Sequence, residues 1–395
     1  MKTSKKKRGL KILIRVILII VFILALTITG LHVAGHGYIV NAVRFTYLKG
    51  HTTAHIDDHP YFKNHVIKAG TPQFWPLDDR FNQIQLSDTL RKELEDYQSI
   101  GFAIFKDGKM LYEEYWDGYS DNSLTNSFSM AKTVTTMLLG KAIDQGYIKG
   151  VDQPVTDFLP EFRDDPFGSM CTVGNLSGMR SGFDWSEDYY SPFNPTTEAY
   201  YGNDIERMLL KRRFSSQPGG LFRYASADTQ LLAIILKRAT GKSLADYLSE
   251  EFWKPLGMEH DALWSLSGGL EKSFCCINTN VRDYARLGQL ILQKGIWNGR
   301  QLLDTAFVEW MKTPDPAAFK PDKPKRYACS LWVDEEHQPA IYAFLGHLGQ
   351  RIIMVPEENM VIVRLGKKAD QRSLGRGPLD TDVYYIVDEV IAMLK

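Results

Sequence analysis

Cysteine is scarce in this sequence, and charge of either sign is not in excess. The four cysteines, Cys171, Cys275, Cys276 and Cys329, are too few in 395 residues for a disulfide framework. A bridge between the adjacent Cys275 and Cys276 would close a strained ring, so we expect both to be small buried residues. The formal net charge is +0, and no basic patch is evident after the first fifteen residues. Nucleic acid is therefore excluded as an expected partner.

Acidic residues are missing from the first fifteen positions, which hold seven lysines and arginines. The rest of the chain has 40 basic and 47 acidic residues, and is therefore net acidic. Val16 to Val33 is apolar, with only His32 able to carry a charge, and is long enough to cross about 30 Å of hydrocarbon as a helix. The basic cluster should stay in the cytoplasm. We predict an uncleaved single-pass anchor in the cell membrane, with the following residues outside; a cleaved signal peptide is the alternative.

The residues after this segment are polar, rich in His and Pro, and without a clear period. We interpret residues 36–85 as a stalk. Within it, five side chains have a spacing that could bind zinc: His51, His55, Asp57, Asp58 and His59. No second ligand cluster or cysteine pair supports such a site, so we favour a solvated linker and predict no metal and no cofactor.

Strand patterns lie at both ends of the remaining chain. Gly101 to Tyr115 is typical of a hairpin with a turn at residues 106–109. Short β-rich runs follow Tyr327, and Asp380 to Leu394 is typical of a closing helix. Between these parts the pattern is mainly helical, so one α/β layer with an inserted helical domain is expected. The predicted boundaries are 1–35 for the basic tip and anchor, 36–85 for the stalk, 86–160 with 270–395 for the α/β domain, and 161–269 for the helical domain.

The stretch from Asn126 to Ile148 has apolar residues at helical spacing and begins with a serine and a lysine. Ser129 and Lys132 are three residues apart, so on a helix their side chains share one face. A serine at a helix start also lies near free backbone N–H groups and the positive end of the helix dipole. This geometry suits an activated nucleophile. The pair alone also fits an N-cap serine and a solvated lysine.

Three separated motifs then resemble those of the serine β-lactamase and penicillin-binding protein superfamily, in particular its class C-related, esterase-like and 6-aminohexanoate-oligomer-hydrolase-like branch. They are Ser129-Met130-Ala131-Lys132, Tyr224-Ala225-Ser226 and His347-Leu348-Gly349. They occur in the family's order, and the resemblance runs from about residue 100 to residue 394. It implies an antiparallel sheet flanked by helices, with an inserted mainly helical domain; the predicted N-terminal transmembrane helix and the stalk precede this part and lie outside the resemblance.

The resemblance implies catalytic roles for Ser129, Lys132, Tyr224 and His347. A serine hydroxyl needs a base, and Lys132 can be that base only if its pKa is lowered, which a dry cleft and a nearby cation such as a protonated His347 could do. Tyr224 would share the proton relay and protonate the leaving group. The oxyanion hole would use the backbone N–H groups of Ser129 and Gln350.

The resemblance also implies substrate-binding residues. Ser226 replaces the usual asparagine of the second motif, and its hydroxyl cannot offer an amide's paired donor and acceptor. Gly349 belongs to the third motif. Tyr189 matches a tyrosine that closes over the substrate amide in the oligomer hydrolases, and Trp185 lies near it in sequence within an aromatic-rich loop. Tyr189 could equally be an aromatic that packs a lid loop.

The prediction is thus a serine hydrolase that cleaves a small-molecule amide or ester through an acyl-enzyme on Ser129, anchored in the cell membrane. Two alternatives remain: a D-Ala-D-Ala carboxypeptidase or penicillin-binding protein of the cell wall, and a non-catalytic binding protein on the same fold.

Overall fold

The computed structural model describes residues 2–189, 191–324, 326–370 and 377–395. They fall into two units, one formed by Met1–Ala54 with Asp188–Asn203 and the other by His55–Glu187 with Asp204–Lys395. The chain therefore leaves the second unit and returns to it between residues 187 and 204. The predicted domain boundaries are a different division and stay a prediction.

The described helices are α1 Lys2–Val33, α2 Tyr38–Phe45, α3 Asp88–Asp96, α4 Met130–Asp144, α5 Val173–Ser177, α6 Pro195–Tyr201, α7 Ile205–Leu210, α8 Ser226–Thr240, α9 Leu244–Leu248, α10 Val281–Leu292, α11 Thr305–Lys312 and α12 Thr381–Leu394. The described strands are β1 Asn64–Ile67, β2 Ser99–Lys106, β3 Lys109–Tyr115, β4 Thr125–Asn126, β5 Ala262–Ser267, β6 Leu270–Glu271, β7 Ile277–Thr279, β8 Ile296–Trp297, β9 Arg300–Gln301, β10 Trp332–Asp334, β11 Ile341–Gly346, β12 Gln350–Val355 and β13 Met360–Gly366.

The first unit contains α1, α2 and α6. Residues Lys6–Val33 of α1 are long and apolar enough to cross a membrane, with an uncharged run that begins at Val16, and no part of their most apolar window is buried. Such a helix can cross a membrane, although signal sequences share its length and hydropathy. In the same unit α2 packs against α6, and the Asn41 amide donates a hydrogen bond to the Tyr201 carbonyl at 3.0 Å.

The second unit is organised around a six-stranded antiparallel sheet with the order β10-β11-β12-β13-β2-β3. The hairpin predicted from residues 101–115 is present as β2 and β3, with its turn at Asp107 and Gly108, both at positive φ. Hairpins favour such turns because they match the twist of the strands. The C-terminal β-rich runs form β10 to β13, so both ends of the body share one sheet, as predicted.

Helices cover both faces of this sheet. On one face α3 and α12 bury Leu90, Leu94 and Val387 against Phe102 and Ile353. The neighbouring residue Ile352 points to the opposite face, because side chains alternate along a strand. There α10 packs against β12 and β13. Helix α4, which Ser129 precedes, also packs against β11 and β12.

A second, smaller sheet has the order β1-β5-β7-β4. Its β1 lies in the stretch expected to be a stalk, where Asn64–Ile67 pairs antiparallel with Ala262–Ser265 of β5. Its strands are short, and Ser265 and Ser267 are buried polar residues. The alternation of apolar and polar residues that marks a half-buried strand is therefore weak here.

The expectation for the adjacent cysteines is wrong in one respect. Cys275 and Cys276 are buried as predicted, but they form a disulfide bond with each other. The backbone at Cys276 has a φ of +76°, a conformation that the pattern of residue types does not indicate. Cys171 and Cys329 are buried free thiols.

Gly288 on α10 determines how closely this helix packs against β12 and β13 of the six-stranded sheet. A Cβ added there would lie 2.6 Å from Ile352 Cγ2 and 3.1 Å from Val361 Cγ1. We predict that Gly288→Ala lowers the free energy of unfolding by about 1–2 kcal/mol, because overpacking outweighs the better helix propensity of alanine. Urea denaturation of the full chain in mild detergent measures this. Combining the change with Ile352→Ala should give less than the sum of the two single losses; full additivity would contradict the proposed contact.

Candidate active site

Ser129 lies at the entrance to α4, in the position directly before the first helical residue. Its side chain is partly exposed and makes no capping hydrogen bond to the helix. The N-cap alternative therefore does not describe this serine. The preceding residue Phe128 has a φ of +44°, which is uncommon for a non-glycine residue. Strained backbone of this kind is often found at functional sites. The hydroxyl is thus presented by a strained turn and remains available for chemistry.

The amine of Lys132 is buried beneath this hydroxyl. The residue is 1% exposed, so it is not a solvated lysine. Its Nζ donates hydrogen bonds to Ser129 Oγ at 3.0 Å and to the Phe274 carbonyl at 2.9 Å. Burial lowers the pKa of Lys132 to about 8, and the charge of Glu187 opposes this shift. The neutral amine is therefore accessible near physiological pH.

The Phe274 carbonyl is held in place by the short strand β7. Ser127 N donates to the Ile277 carbonyl at 2.7 Å, and Ile277 N donates to Ser127 Oγ at 3.2 Å. This reciprocal pair ties the segment that carries Phe274 to the turn that carries Ser129. The two segments that supply the hydrogen-bond partners of Lys132 are consequently joined to each other by hydrogen bonds.

Tyr224 completes the cluster at the beginning of α8. Lys132 Nζ lies 4.8 Å from the centre of its ring, and the Ser129 side chain is among the groups that act on the pKa of its phenol. The ring packs against Trp332 and Tyr327, each with ring centres 6.0 Å away. Burial, with the nearby charge of Glu187, raises the pKa of Tyr224. The phenol therefore keeps its proton at neutral pH.

The third motif, which lies between β11 and β12, packs beside the turn that carries Ser129. The ring of His347 lies edge-on to that of Phe128, with centres 5.4 Å apart. Gly346 pairs with Gln350 across β11 and β12, and a Cβ at Gly346 would lie 2.4 Å from the Ser127 carbonyl. Only glycine allows this close approach. The beginning of β12, and with it Gln350, is thereby brought next to the turn of Ser129.

The predicted charge of His347 is wrong. Burial and the nearby Arg351 lower the pKa of His347 to about 4, so the imidazole is neutral at physiological pH. A protonated His347 therefore does not lower the pKa of Lys132. Burial of the amine causes that shift.

Two buried arginines hold the loop between β11 and β12. Arg351 donates to the Gly346 carbonyl at 3.0 Å and forms an ion pair with Asp382 at 3.1 Å. Arg364 donates to the Gly349 carbonyl at 2.8 Å, and burial lowers its pKa to about 10. Gly349 itself has a φ of +82°, which glycine tolerates without strain. These contacts fix the backbone just before Gln350.

The predicted substrate-binding residues divide between the two units. Ser226 is buried at the start of α8, where its hydroxyl donates to Glu187 Oε1 at 2.6 Å. Trp185 Nε1 donates to the other oxygen of the same carboxylate at 2.7 Å. Tyr189 is 43% exposed and belongs to the first unit, so its approach to Ser129 stays a prediction.

Sequence reasoning missed Glu187, the Phe274 carbonyl and the two arginines. In the sequence Glu187 is one residue of an aromatic-rich loop with no feature that singles it out, and the position of a backbone carbonyl cannot be predicted from residue types. For Arg351 and Arg364 a signal was present, because each is the single charged residue in a mostly apolar strand. A lone charge in a buried strand requires partners and often a purpose.

No group of three or more His, Cys, Asp or Glu side chains that could hold a metal ion occurs among the described residues. This includes the described histidines of the stretch considered for zinc.

Comparisons with known proteins agree with this geometry. The Beta-lactamase family model matches residues 86–381. A 6-aminohexanoate-dimer hydrolase from Paenarthrobacter ureafaciens is 25% identical over 299 residues, 71% of this chain and 76% of that protein. A D-aminopeptidase from Gluconobacter oxydans is 27% identical over 256 residues, 61% of this chain and 47% of that protein, so this chain spans about half its length. The crystal structure of a penicillin-binding protein from Bacillus halodurans has a TM-score of 0.59 at 15% identity, covering 78% of this chain and all of that one.

The match to the family model extends over most of the chain and includes all three motifs. The structural similarity independently shows the same fold, an antiparallel sheet flanked by helices, so the fold class and the resemblance predicted from the motifs are confirmed. The chain belongs to the Beta-lactamase family.

Proposed function

We propose that this protein is a serine hydrolase that cleaves an amide or ester through an acyl-enzyme on Ser129. The observation that carries the proposal is the buried Lys132 amine, which donates a hydrogen bond to Ser129 Oγ and lies 4.8 Å from the centre of the Tyr224 ring. A structural role does not require three such groups around one partly exposed hydroxyl. Burying a lysine also costs stability, so a buried lysine with a shifted pKa is typical of a functional site.

Acylation begins with the neutral amine of Lys132. It accepts the Ser129 proton while Ser129 Oγ forms a bond to the substrate carbonyl carbon, and the carbonyl electrons move onto oxygen. The backbone N–H groups of Ser129 and Gln350 stabilise this oxyanion. A donor of this kind is worth about 3 kcal/mol in the transition state. The two arginines support this role by holding the backbone that leads to Gln350.

Tyr224 then protonates the leaving group. Its raised pKa keeps a proton on the phenol, and the Lys132 ammonium returns a proton to it as the carbon to leaving-group bond breaks. A water molecule enters and attacks the acyl carbon while the neutral Lys132 amine accepts its proton; the bond from the acyl carbon to Ser129 Oγ breaks, and the Lys132 ammonium returns the proton to Ser129 Oγ. The product acid leaves, and Ser129 regains its proton. His347 takes part as a neutral hydrogen-bonding side chain and not as a cation.

Small-molecule amides or esters are the proposed substrates. The names of the similar proteins, a 6-aminohexanoate-dimer hydrolase and a D-aminopeptidase, favour amides within this class. We propose further that α1 anchors the protein in the cell membrane, with the Ser129 cluster outside the cytoplasm. The basic residues before the apolar stretch of α1 support this orientation.

Replacing Ser129 tests the covalent step. The parent protein should gain the mass of an acyl group from at least one member of a panel containing an ester, a linear amide, a D-Ala-D-Ala peptide and a penicillin, and Ser129→Ala should gain none. Intact-mass spectrometry of the full chain makes the measurement. An equal adduct on Ser129→Ala would place the nucleophile elsewhere, and the panel member that acylates fastest identifies the substrate class.

The lowered pKa of Lys132 predicts the pH dependence of the reaction. The base is active when neutral, so kcat/KM should fall about tenfold per pH unit below a pKa of about 8 and level off above it. Lys132→Ala should lose turnover while keeping the circular dichroism of the parent. A rate that is flat from pH 6 to pH 8, or wild-type rates in Lys132→Ala, would remove the lysine from the mechanism.

If α1 is an uncleaved anchor, the protein is found in the membrane fraction. The full chain should stay in the membrane pellet after a carbonate wash, and its intact mass should include the basic residues at the start of α1. Release into the supernatant with a mass that lacks α1 would indicate a cleaved signal peptide instead.

A further inference from the structure

The disulfide between Cys275 and Cys276 directly follows the residue whose carbonyl binds Lys132. The Phe274 carbonyl accepts a hydrogen bond from Lys132 Nζ at 2.9 Å, and it shares a peptide group with the N–H of Cys275. That N–H donates to the Lys272 carbonyl at 3.1 Å. A peptide group is planar from one Cα to the next, and the ring closed by the two sulfurs begins at the Cα of Cys275. The ring is therefore joined directly to the peptide plane that faces the amine.

This disulfide does little to restrict the unfolded chain. A cross-link stabilises a protein mainly through the loop that it closes, and the effect grows with the length of that loop. Here the two cysteines are consecutive residues, so hardly any loop is closed. The physical effect of the bond is therefore local. It restricts the backbone of Cys275 and Cys276 to conformations in which the two sulfur atoms meet.

One of the two residues has an uncommon backbone conformation. Cys276 has a φ of +76°, which a residue with a Cβ rarely adopts unless the surrounding structure enforces it, whereas glycine adopts it freely. The Cys276 carbonyl accepts hydrogen bonds from Ser265 N on β5 at 3.0 Å and from Asn278 Nδ2 on β7 at 2.9 Å. These hydrogen bonds and the disulfide together hold Cys276 in this conformation.

The chain on either side of the disulfide is attached to the helices of the site. Ser273 N donates to Gln230 Oε1 at 2.9 Å, and Ser273 Oγ donates to a backbone carbonyl of the same helix, α8, at 3.0 Å. On the other side, Ile277 and Ser127 form the reciprocal pair described above. Phe274 lies between these attachments and is buried. A change in the conformation of the disulfide pair is therefore transmitted to the Phe274 carbonyl.

We propose that the Cys275–Cys276 disulfide is a positioning element of the hydrolase, which holds the Phe274 carbonyl where the Lys132 amine donates to it. The inference rests on the proposed function, because it concerns the base of that reaction. With this carbonyl in place, the amine has a second acceptor and stays 3.0 Å from Ser129 Oγ, whose proton it accepts. The proposed location outside the cytoplasm is a compartment in which disulfides persist.

Alkylation of the unfolded full chain measures whether the bond is present. Without reductant, iodoacetamide in urea should add two groups, at Cys171 and Cys329, and after treatment with dithiothreitol it should add four. Intact-mass spectrometry counts the added groups. Four groups without reductant would overturn the inference, because no bond would then hold the carbonyl.

Two double variants test the positioning itself, with the fastest substrate of the acylation panel. Cys275→Ala/Cys276→Ala removes the bond and keeps a Cβ that disfavours the positive φ, so kcat/KM should fall about tenfold. Cys275→Ala/Cys276→Gly also removes the bond, but glycine tolerates this φ, so kcat/KM should stay within about threefold of the parent value. The control Cys171→Ala/Cys329→Ala removes two buried thiols that form no disulfide, and it should match the parent.

The pH dependence separates a displaced carbonyl from a general loss of stability. The Phe274 carbonyl stabilises the charged form of the amine, so loss of this acceptor should lower the pKa of Lys132 below its value of about 8. The acid limb of kcat/KM should therefore move to lower pH in Cys275→Ala/Cys276→Ala. It should keep its parental position in Cys275→Ala/Cys276→Gly. Loss of stability alone would lower the rate without moving the limb.

Equal kcat/KM values and equal acid limbs in the two double variants would overturn the inference. A folded Cys275→Ala/Cys276→Gly with less than about a tenth of the parental kcat/KM would also overturn it, and this result does not depend on the folding of the alanine variant. In both cases an acyl adduct on Ser129 of the parent would leave the proposed function standing. Absence of any acyl adduct from the parent would overturn both.

Discussion

The arrangement of the candidate active site depends on the buried amine of Lys132. Lys132 is enclosed at the junction of α4, β7 and the beginning of α8, and its two hydrogen-bond partners are a hydroxyl and a backbone carbonyl with no full charge. An ammonium in such a place is poorly stabilised, since neither partner carries a negative charge, and this is why its pKa is lowered. The cost in stability is of the kind that proteins accept at functional sites. The same burial that destabilises the cation makes the neutral base available.

The fold brings distant parts of the chain to this amine. Strands β2 and β3 precede the helix of Ser129, and β11 to β13 follow it by some two hundred residues, yet all belong to one sheet. Gly346 lets the C-terminal strands press against the backbone at Ser127. Arg351 and Arg364 then fix the loop that leads to Gln350. The positions of the reacting groups therefore follow from sheet pairing and from two buried cations behind it.

The sequence indicates the parts of this arrangement that depend on local pattern. The hairpin of β2 and β3, the C-terminal strands and α12 were predictable, because their alternation and turn residues are strong local signals. The three motifs predicted the family. The pairing of β1 with β5 was not predictable, since both strands are short and partly polar. The neutral state of His347 and the position of Glu187 were not predictable either, because burial and the placement of neighbouring charges arise only when the chain is folded.

The contact of Arg364 with the glycines around it has a consequence for how this protein can change. A Cβ at Gly349 would lie 1.8 Å from Arg364 Nη1, and a Cβ at Gly366 would lie 2.3 Å from Nη2. The three positions therefore cannot vary independently during evolution or in a mutant library. Shortening the arginine would remove these clashes but would free the carbonyls that it holds, and the φ of +82° at Gly349 would still disfavour any other residue there. The glycine of the third motif is thus constrained twice, by its own backbone and by a side chain on the neighbouring strand.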